Sequence, residues 1–223
     1  MPIRAFVFDA YGTLFDVHAA IARHREPAGP EADRLSEIWR AKQLEYAWML
    51  SAAGHYVDFW TLTGRALDHA LARCPTVDRA LRATLLDAYF ELDAFPDARD
   101  ALHALHAQGL KTAILSNGSP RMLDGAVTAA GIGAHLDAVL SVHTIRIYKP
   151  QPAVYAMAAD ALGVTPAEIA FVSSNRWDVM GAAAFGFTCV WVNRANLPDE
   201  YADRPPAVVL KDLTALLTID RDP

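Results

Sequence analysis

Short apolar runs alternate with helical patterns along most of this chain, and that alternation restricts the fold more than any other feature. Strand-like runs fall at Ile3–Phe8, Thr112–Leu115, Ala138–Ser141, Ile169–Ser173, Thr188–Val192 and Ala207–Leu210. Helical patterns lie at Asp97–Gln108, Pro120–Ala130, Pro152–Leu162, Arg176–Phe185 and Asp212–Leu217. A helix between successive strands carries the chain back to start the next strand in the same direction. The expected class is therefore α/β, a parallel sheet with helices on both faces. Gly109, Gly131, Gly163 and Gly186 each fall just past an expected helix, where a stop belongs.

The alternation lapses between about Val17 and Leu92. Helical patterns alone occupy 17–25, 32–53, 57–73 and 78–92, with Ile38, Leu44, Tyr46, Trp48, Phe59, Trp60, Leu62 and Leu67 on their apolar faces. Pro27 to Pro30 should break the first of these, and Cys74-Pro75 should end the third. The expected organisation is a core of residues 1–15 and 96–223 with an all-helical insert, 16–95, placed to close a site over the strand ends. A chain of 223 residues is long enough for such a pair. Hydrophobic content of 53% with 21% charged residues describes a soluble globular protein. A net charge of −6 argues against nucleic acid or an anionic membrane as a partner. No stretch is apolar for long enough to cross a bilayer. Met1-Pro2-Ile3-Arg4 runs directly into a strand, so no signal peptide is expected, and Cys74 and Cys189 read as reduced thiols of a cytoplasmic protein.

Four polar segments stand at strand ends, which converge on one edge of a parallel sheet. They are Asp9 to Thr13, Ser116-Asn117-Gly118-Ser119-Pro120, Tyr148-Lys149-Pro150, and Ser173-Ser174-Asn175-Arg176-Trp177-Asp178. Each alone reads equally well as turn or helix-cap chemistry. Together, in this order, they resemble the four motifs of the haloacid dehalogenase superfamily: a nucleophilic Asp, a Ser or Thr, a Lys and a terminal acid. Asp9-Ala10-Tyr11-Gly12-Thr13-Leu14-Phe15-Asp16, Arg40-Ala41-Lys42-Gln43-Leu44-Glu45-Tyr46 and the second and fourth segments resemble more closely the (S)-2-haloacid dehalogenases. The likeness covers essentially the whole chain.

That resemblance implies a Rossmann-like core with a helical cap, a homodimer, no cofactor and no metal. The partners it implies are a small 2-haloacid and water. Magnesium-dependent relatives carry acids where this chain has Tyr11 and Asn175, leaving too few carboxylates for a hard cation. Asp9 is the implied nucleophile, attacking C2 opposite the halogen to form an ester that water then hydrolyses. Lys149 would stand beside it, with Tyr155 in the same hydrogen-bond network, although an isolated tyrosine on such a helix reads as core. Thr13 and Ser116 offer hydroxyls, and the segment from Ser116 would bind the substrate carboxylate. Asn117 and Arg40 would receive the halide, Arg40 as a cation aimed at developing charge. Ser173 and Asn175 would position Asp9 and the water. Asp178 would either orient Lys149 or activate that water. Tyr11, Leu44, Phe59 and Trp177 would wall an apolar pocket. Ala41 departs from relatives, which often carry Gln there, and this puts chain-length preference in doubt. The rival readings are a superfamily phosphatase, a phosphorylatable receiver module and a catalytically idle relative.

Overall fold

The computed structural model describes residues 2–219. Its centre is β1 (Ala5–Phe8), buried at every position because helices cover both faces of the sheet. Five helices follow: α1 (Ala19–Ala22), α2 (Arg25–Ala28), α3 (Ala32–Ala52), α4 (Phe59–Arg73) and α5 (Arg82–Ala88). The chain then alternates through α6 (Ala98–Ala107), β2 (Lys111–Ser116), α7 (Pro120–Ala130), β3 (Ala138–Ser141), α8 (Pro152–Leu162), β4 (Ile169–Ser173), α9 (Arg176–Phe185), β5 (Thr188–Val192) and β6 (Val208–Leu210).

All strand pairs are parallel and run in the order β3-β2-β1-β4-β5-β6. The chain builds outward from β1 through β2 to β3, then returns to the other flank of β1 with β4. That reversal opens a crevice at the carboxyl ends of β1 and β4. Phe8 pairs with both Ile114 and Val172, so Asp9 emerges level with the ends of both neighbouring strands.

The helical stretch rests on α3 and α4, which pack against each other and bury Leu35, Trp39, Leu62, Ala66 and Leu67. Burying each large apolar side chain contributes roughly 1.5–3 kcal/mol. Asp58 starts α4 by accepting from the Thr61 N–H at 3.1 Å and the Thr61 hydroxyl at 2.6 Å. The two segments joining this stretch to the sheet run side by side: Phe95 N–H donates to Leu14 O at 2.8 Å and Asp16 N–H to Asp93 O at 2.9 Å.

Several boundaries depart from the sequence reading. Residues 212–217 form no α-helix; a single 3-10 turn spans Leu216–Thr218. Their apolar spacing is real, since Leu213 and Leu216 are buried, but Asp97 takes the Leu213 N–H at 2.7 Å and holds the backbone in a turn. The first insert helix breaks at Arg23 and His24, ahead of Pro27, which sits inside α2 as tolerated in a first turn. The segment 78–92 divides into a 3-10 turn, Arg79–Leu81, and the short α5. Cys74 and Cys189 are buried and free. Among the described residues no helix is long and apolar enough to cross a membrane.

Candidate active site

Asp9 continues the line of β1 by one residue, its N–H donating to Val172 O at 2.9 Å. The residue is almost wholly buried, at 5% exposure, and three groups hold its side chain. Lys149 Nζ lies 3.1 Å from Oδ1. Asn175 Nδ2 donates to Oδ2 at 2.7 Å, and the Thr13 hydroxyl donates to the same oxygen at 3.3 Å. Thr13 Oγ1 already accepts the Ser174 N–H at 2.8 Å, which directs its own proton to Asp9. A carboxylate fixed at both oxygens keeps one orientation, which is the requirement for in-line attack.

Lys149 comes from the turn between β3 and α8 and has no exposed surface. Its backbone N–H donates to Asn117 Oδ1 at 3.0 Å. Nζ bridges Asp9 and Asp178, the latter at 2.8 Å. Asp178, in the first turn of α9, spends its other oxygen on the Tyr155 hydroxyl at 2.8 Å. Gly181 lets these parts meet: a Cβ there would lie 2.5 Å from the Tyr155 hydroxyl and 2.6 Å from Pro150 Cβ. Burial pushes Lys149 down, but the charges of Asp178 and Asp9 outweigh it and raise the ammonium above its usual range. Burial, opposed by Lys149 and reinforced by Asp9, raises Asp178 to about 6. Burial and then Asp178 raise Tyr155 well above a free phenol, so it remains a donor.

A pH dependence follows. As pH falls through about 6, Asp178 takes up a proton and Lys149 loses charge from one of its two partners. Turnover that needs this lysine in place should fall on an acid limb near that value. Tyr155→Phe removes a donor to the charged carboxylate, which raises its pKa. The limb should move to higher pH in that variant; a limb that stays in place would detach Asp178 from it.

Arg40 reaches in from α3. Its Nη2 donates to Tyr11 O at 3.1 Å and to Asn175 Oδ1 at 3.4 Å. Among the described residues no carboxylate lies within ion-pair distance of it. Asn175 occupies the N-cap position of α9 but makes no side-chain cap bond; that amide serves Asp9 and Tyr11 O instead. Ser173 Oγ accepts the Asn175 N–H at 3.1 Å and fixes that turn. The cap role expected for this cluster is thus only partly realised, because the Asp9 carboxylate competes for the amide.

Ser116 ends β2, and its hydroxyl accepts the Gly118 N–H at 3.1 Å. The next residues turn tightly under Tyr11, where a Cβ on Gly118 would sit 2.6 Å from the Tyr11 ring. Asn117 Nδ2 and the Tyr11 hydroxyl are both buried and have no hydrogen-bond partner among the described residues. An unmatched buried donor costs roughly 1–3 kcal/mol, so two in one crevice suit a ligand rich in acceptors. Burial raises the Tyr11 phenol far above its usual range, which keeps its proton in place.

The four expected apolar wall residues are distributed. Phe59 lies 6.5 Å from the Tyr11 ring, centroid to centroid. Leu44 lines a cavity of about 360 Å³ with Arg40 and Asn175. Trp177 packs edge-on to Trp48 at 5.3 Å and lines a different cavity, about 340 Å³, beside Lys149. A concavity of about 810 Å³ between Asp87–Glu91 and α7 is lined by none of the site residues.

Sequence reasoning missed the support behind Tyr11. Tyr89 stacks on it at 5.7 Å and donates to Gln43 Oε1 at 3.2 Å; Gln43 Nε2 donates to Thr63 Oγ1 at 3.0 Å. Gln43 carried a usable signal, since its spacing from Trp39 and Arg40 puts all three toward one side of α3. Tyr89 carried none, being one aromatic in a segment, 78–92, that reads only as helical.

Comparison with known proteins identifies the family. The family model for haloacid dehalogenase-like hydrolases matches residues 3–186. (S)-2-haloacid dehalogenase 1 of Pseudomonas sp. (strain CBS-3) is 51% identical over 216 residues, covering 96% of this chain and 95% of the relative. A dehalogenase crystal structure superposes with a TM-score of 0.96 at 44% identity, over 99% of this chain and 98% of the other. The L-2-haloacid dehalogenase from Xanthobacter autotrophicus, with chloropropionic acid covalently bound, superposes with a TM-score of 0.87 at 38% identity, over 96% of each chain. With matches of this extent, joined to an aspartate at the end of β1 and a lysine bridging it to a second acid, the chain belongs to the haloacid dehalogenase-like hydrolases and, within them, to the (S)-2-haloacid dehalogenase family.

Proposed function

We propose that this protein removes halogen from short (S)-2-haloalkanoic acids by hydrolysis, giving (R)-2-hydroxyalkanoic acids. The observation that carries the reading is the setting of Asp9: a buried carboxylate oriented by Lys149, Asn175 and Thr13, beside the Arg40 guanidinium, which has no carboxylate partner among the described residues. An Asp9 oxygen forms a bond to C2 as the carbon–halogen bond breaks on the opposite side, and halide leaves with the bonding pair. Water then adds to the ester carbonyl of Asp9. The bond between that carbonyl carbon and the substrate oxygen breaks, releasing the hydroxy acid, one proton and free Asp9. One displacement at C2 inverts it.

Ser116 and the Asn117-Gly118 turn, with the Tyr11 hydroxyl, receive the substrate carboxylate. Arg40 and Asn117 stabilise the departing halide as its charge develops. Asp178 and Tyr155 hold Lys149, Ser173 holds the Asn175 turn, and Phe59 and Leu44 contact the apolar part of the substrate, whereas Trp177 lines the other cavity beside Lys149. Residues 1–15 and 96–223 act as the core and 16–95 as the cap, so the site is complete only when both are seated. A superfamily phosphatase is not favoured, because Tyr11 contributes an aromatic ring and Asn175 an amide where that chemistry uses acids. The reading carries with it a cytoplasmic homodimer, an assembly and setting that rest on the family resemblance.

Isotope placement tests the mechanism. A single turnover of 2-chloropropionate in oxygen-18 water, with enzyme in excess, should put label into Asp9 and leave the first hydroxy acid unlabelled. Label in that product with none in the protein would replace the ester route by direct attack of water.

A further inference from the structure

Lys149 stands on the core, yet the backbone that carries it is gripped by the helical stretch between β1 and β2. The residue before it, Tyr148, is fully buried. Its N–H donates to Ser51 Oγ, in the last turn of α3, at 3.1 Å. Its hydroxyl donates to Val57 O, between α3 and α4, at 2.5 Å. Its ring packs on Tyr56 at 5.3 Å and on Phe59 at 5.9 Å. The next backbone N–H, that of Lys149, is taken by Asn117 from the core. The turn is thus clamped between cap and core, one residue from the ammonium that touches Asp9 and Asp178. Burial, then the neighbouring Tyr56, pushes the Tyr148 phenol far up, so it stays a donor.

We infer that Tyr148 and Ser51 are positioning residues: by seating the helical stretch on the Lys149 turn, they place Lys149 Nζ between Asp9 and Asp178. The inference rests on the dehalogenase reading of the site and adds to it a second contribution from the cap, separate from Arg40. Arg40 delivers charge to the reacting atoms, whereas this clamp acts through the core lysine. It also accounts for two polar bonds spent on a residue whose ring alone would fill the space. Displacement of a catalytic group by a fraction of an ångström is costly in rate, so a bond holding its backbone has leverage beyond its own strength.

The test compares Tyr148→Phe, which removes only the hydroxyl, with Ser51→Ala, which removes only the acceptor of the Tyr148 N–H. Arg121→Ala is the control, because it removes a different contact of the seam, the guanidinium stacked 4.7 Å from the Phe90 ring centroid. The charged and titratable groups that face Lys149 and Asp178 are Asp9, one residue beyond β1, Tyr155 from α8 and Cys189 from β5. Halide release from 2-chloropropionate is followed against pH, and thermal unfolding alongside. In each clamp variant kcat should fall about tenfold with KM changing much less, by the sensitivity of rate to misplacement. The acid limb near pH 6 should move up, since a withdrawn ammonium no longer favours the charged form of Asp178. Arg121→Ala should leave both kcat and the limb as in the wild type. Clamp variants that keep the wild-type limb and kcat, or that lose activity only in proportion to unfolded protein, would overturn the inference. A wild-type protein that releases no halide would overturn the dehalogenase reading beneath it, an outcome distinct from the first.

Discussion

Asp9→Asn should fold normally and release essentially no halide, a loss of at least about 10⁴-fold in kcat, as expected when a covalent nucleophile is removed. The amide oxygen lacks the charge that becomes the new bond to carbon, and no neighbouring acid can replace it. Asp178 is fully buried with both oxygens committed to Lys149 and Tyr155. Folding should survive because Lys149 keeps its 2.8 Å partner in Asp178. A buried ammonium with one good carboxylate is tolerated, whereas one left with none costs several kcal/mol. The loss of Asp9's charge should also lower the pKa of Asp178, since Asp9 acts to raise it. Circular dichroism and thermal melting check the fold, and halide release checks the chemistry. Full activity in this variant would remove Asp9 from the mechanism.

Arg40→Ala should cost about 10²–10³ in kcat, the range seen when one preorganised donor to developing charge is removed. Its effect on stability should be small, under about 1 kcal/mol, because it leaves little unsatisfied. Tyr11 O also accepts from Asn175 Nδ2 at 3.1 Å, so its carbonyl is not orphaned. Asn175 Oδ1 loses a contact of 3.4 Å, at the long end of hydrogen-bond range. The absence of a carboxylate partner among the described residues is what leaves the guanidinium able to meet a halide. Lysine at this position should restore part of the rate, as a point charge without the planar fork. An Arg40→Ala enzyme with unchanged turnover would place halide stabilisation elsewhere, on Asn117, whose Nδ2 has no partner among the described residues.

Much of this site was legible because topology did the assembling. Parallel strands end on one edge, so segments as distant in sequence as Asp9, Ser116, Lys149 and Asn175 needed only correct strand assignment to be brought together. The terminal 3-10 turn was not legible. Leu213 and Leu216 gave a helical spacing, while the decisive Asp97 side chain lies more than a hundred residues earlier. Hydrogen bonds between segments so far apart leave no local pattern.

The order of apolar runs and breakers determined the parallel sheet and the helical interruption after β1, and the resemblance of the polar segments and of Arg40 to Tyr46 to one family pointed to Asp9, Lys149 and Arg40. Those features depend on backbone periodicity and on chemistry intrinsic to each residue. Tertiary structure alone decided how the groups share their bonds. It turned the Asn175 amide from capping α9 to holding Asp9, set Tyr89 and Gln43 behind Tyr11, placed Leu44 and Trp177 in separate cavities, and put Tyr148 in the grip of Ser51 and Val57. A buried donor takes whichever acceptor the packed interior brings within about 3 Å. That choice is fixed only when helices and sheet close on one another.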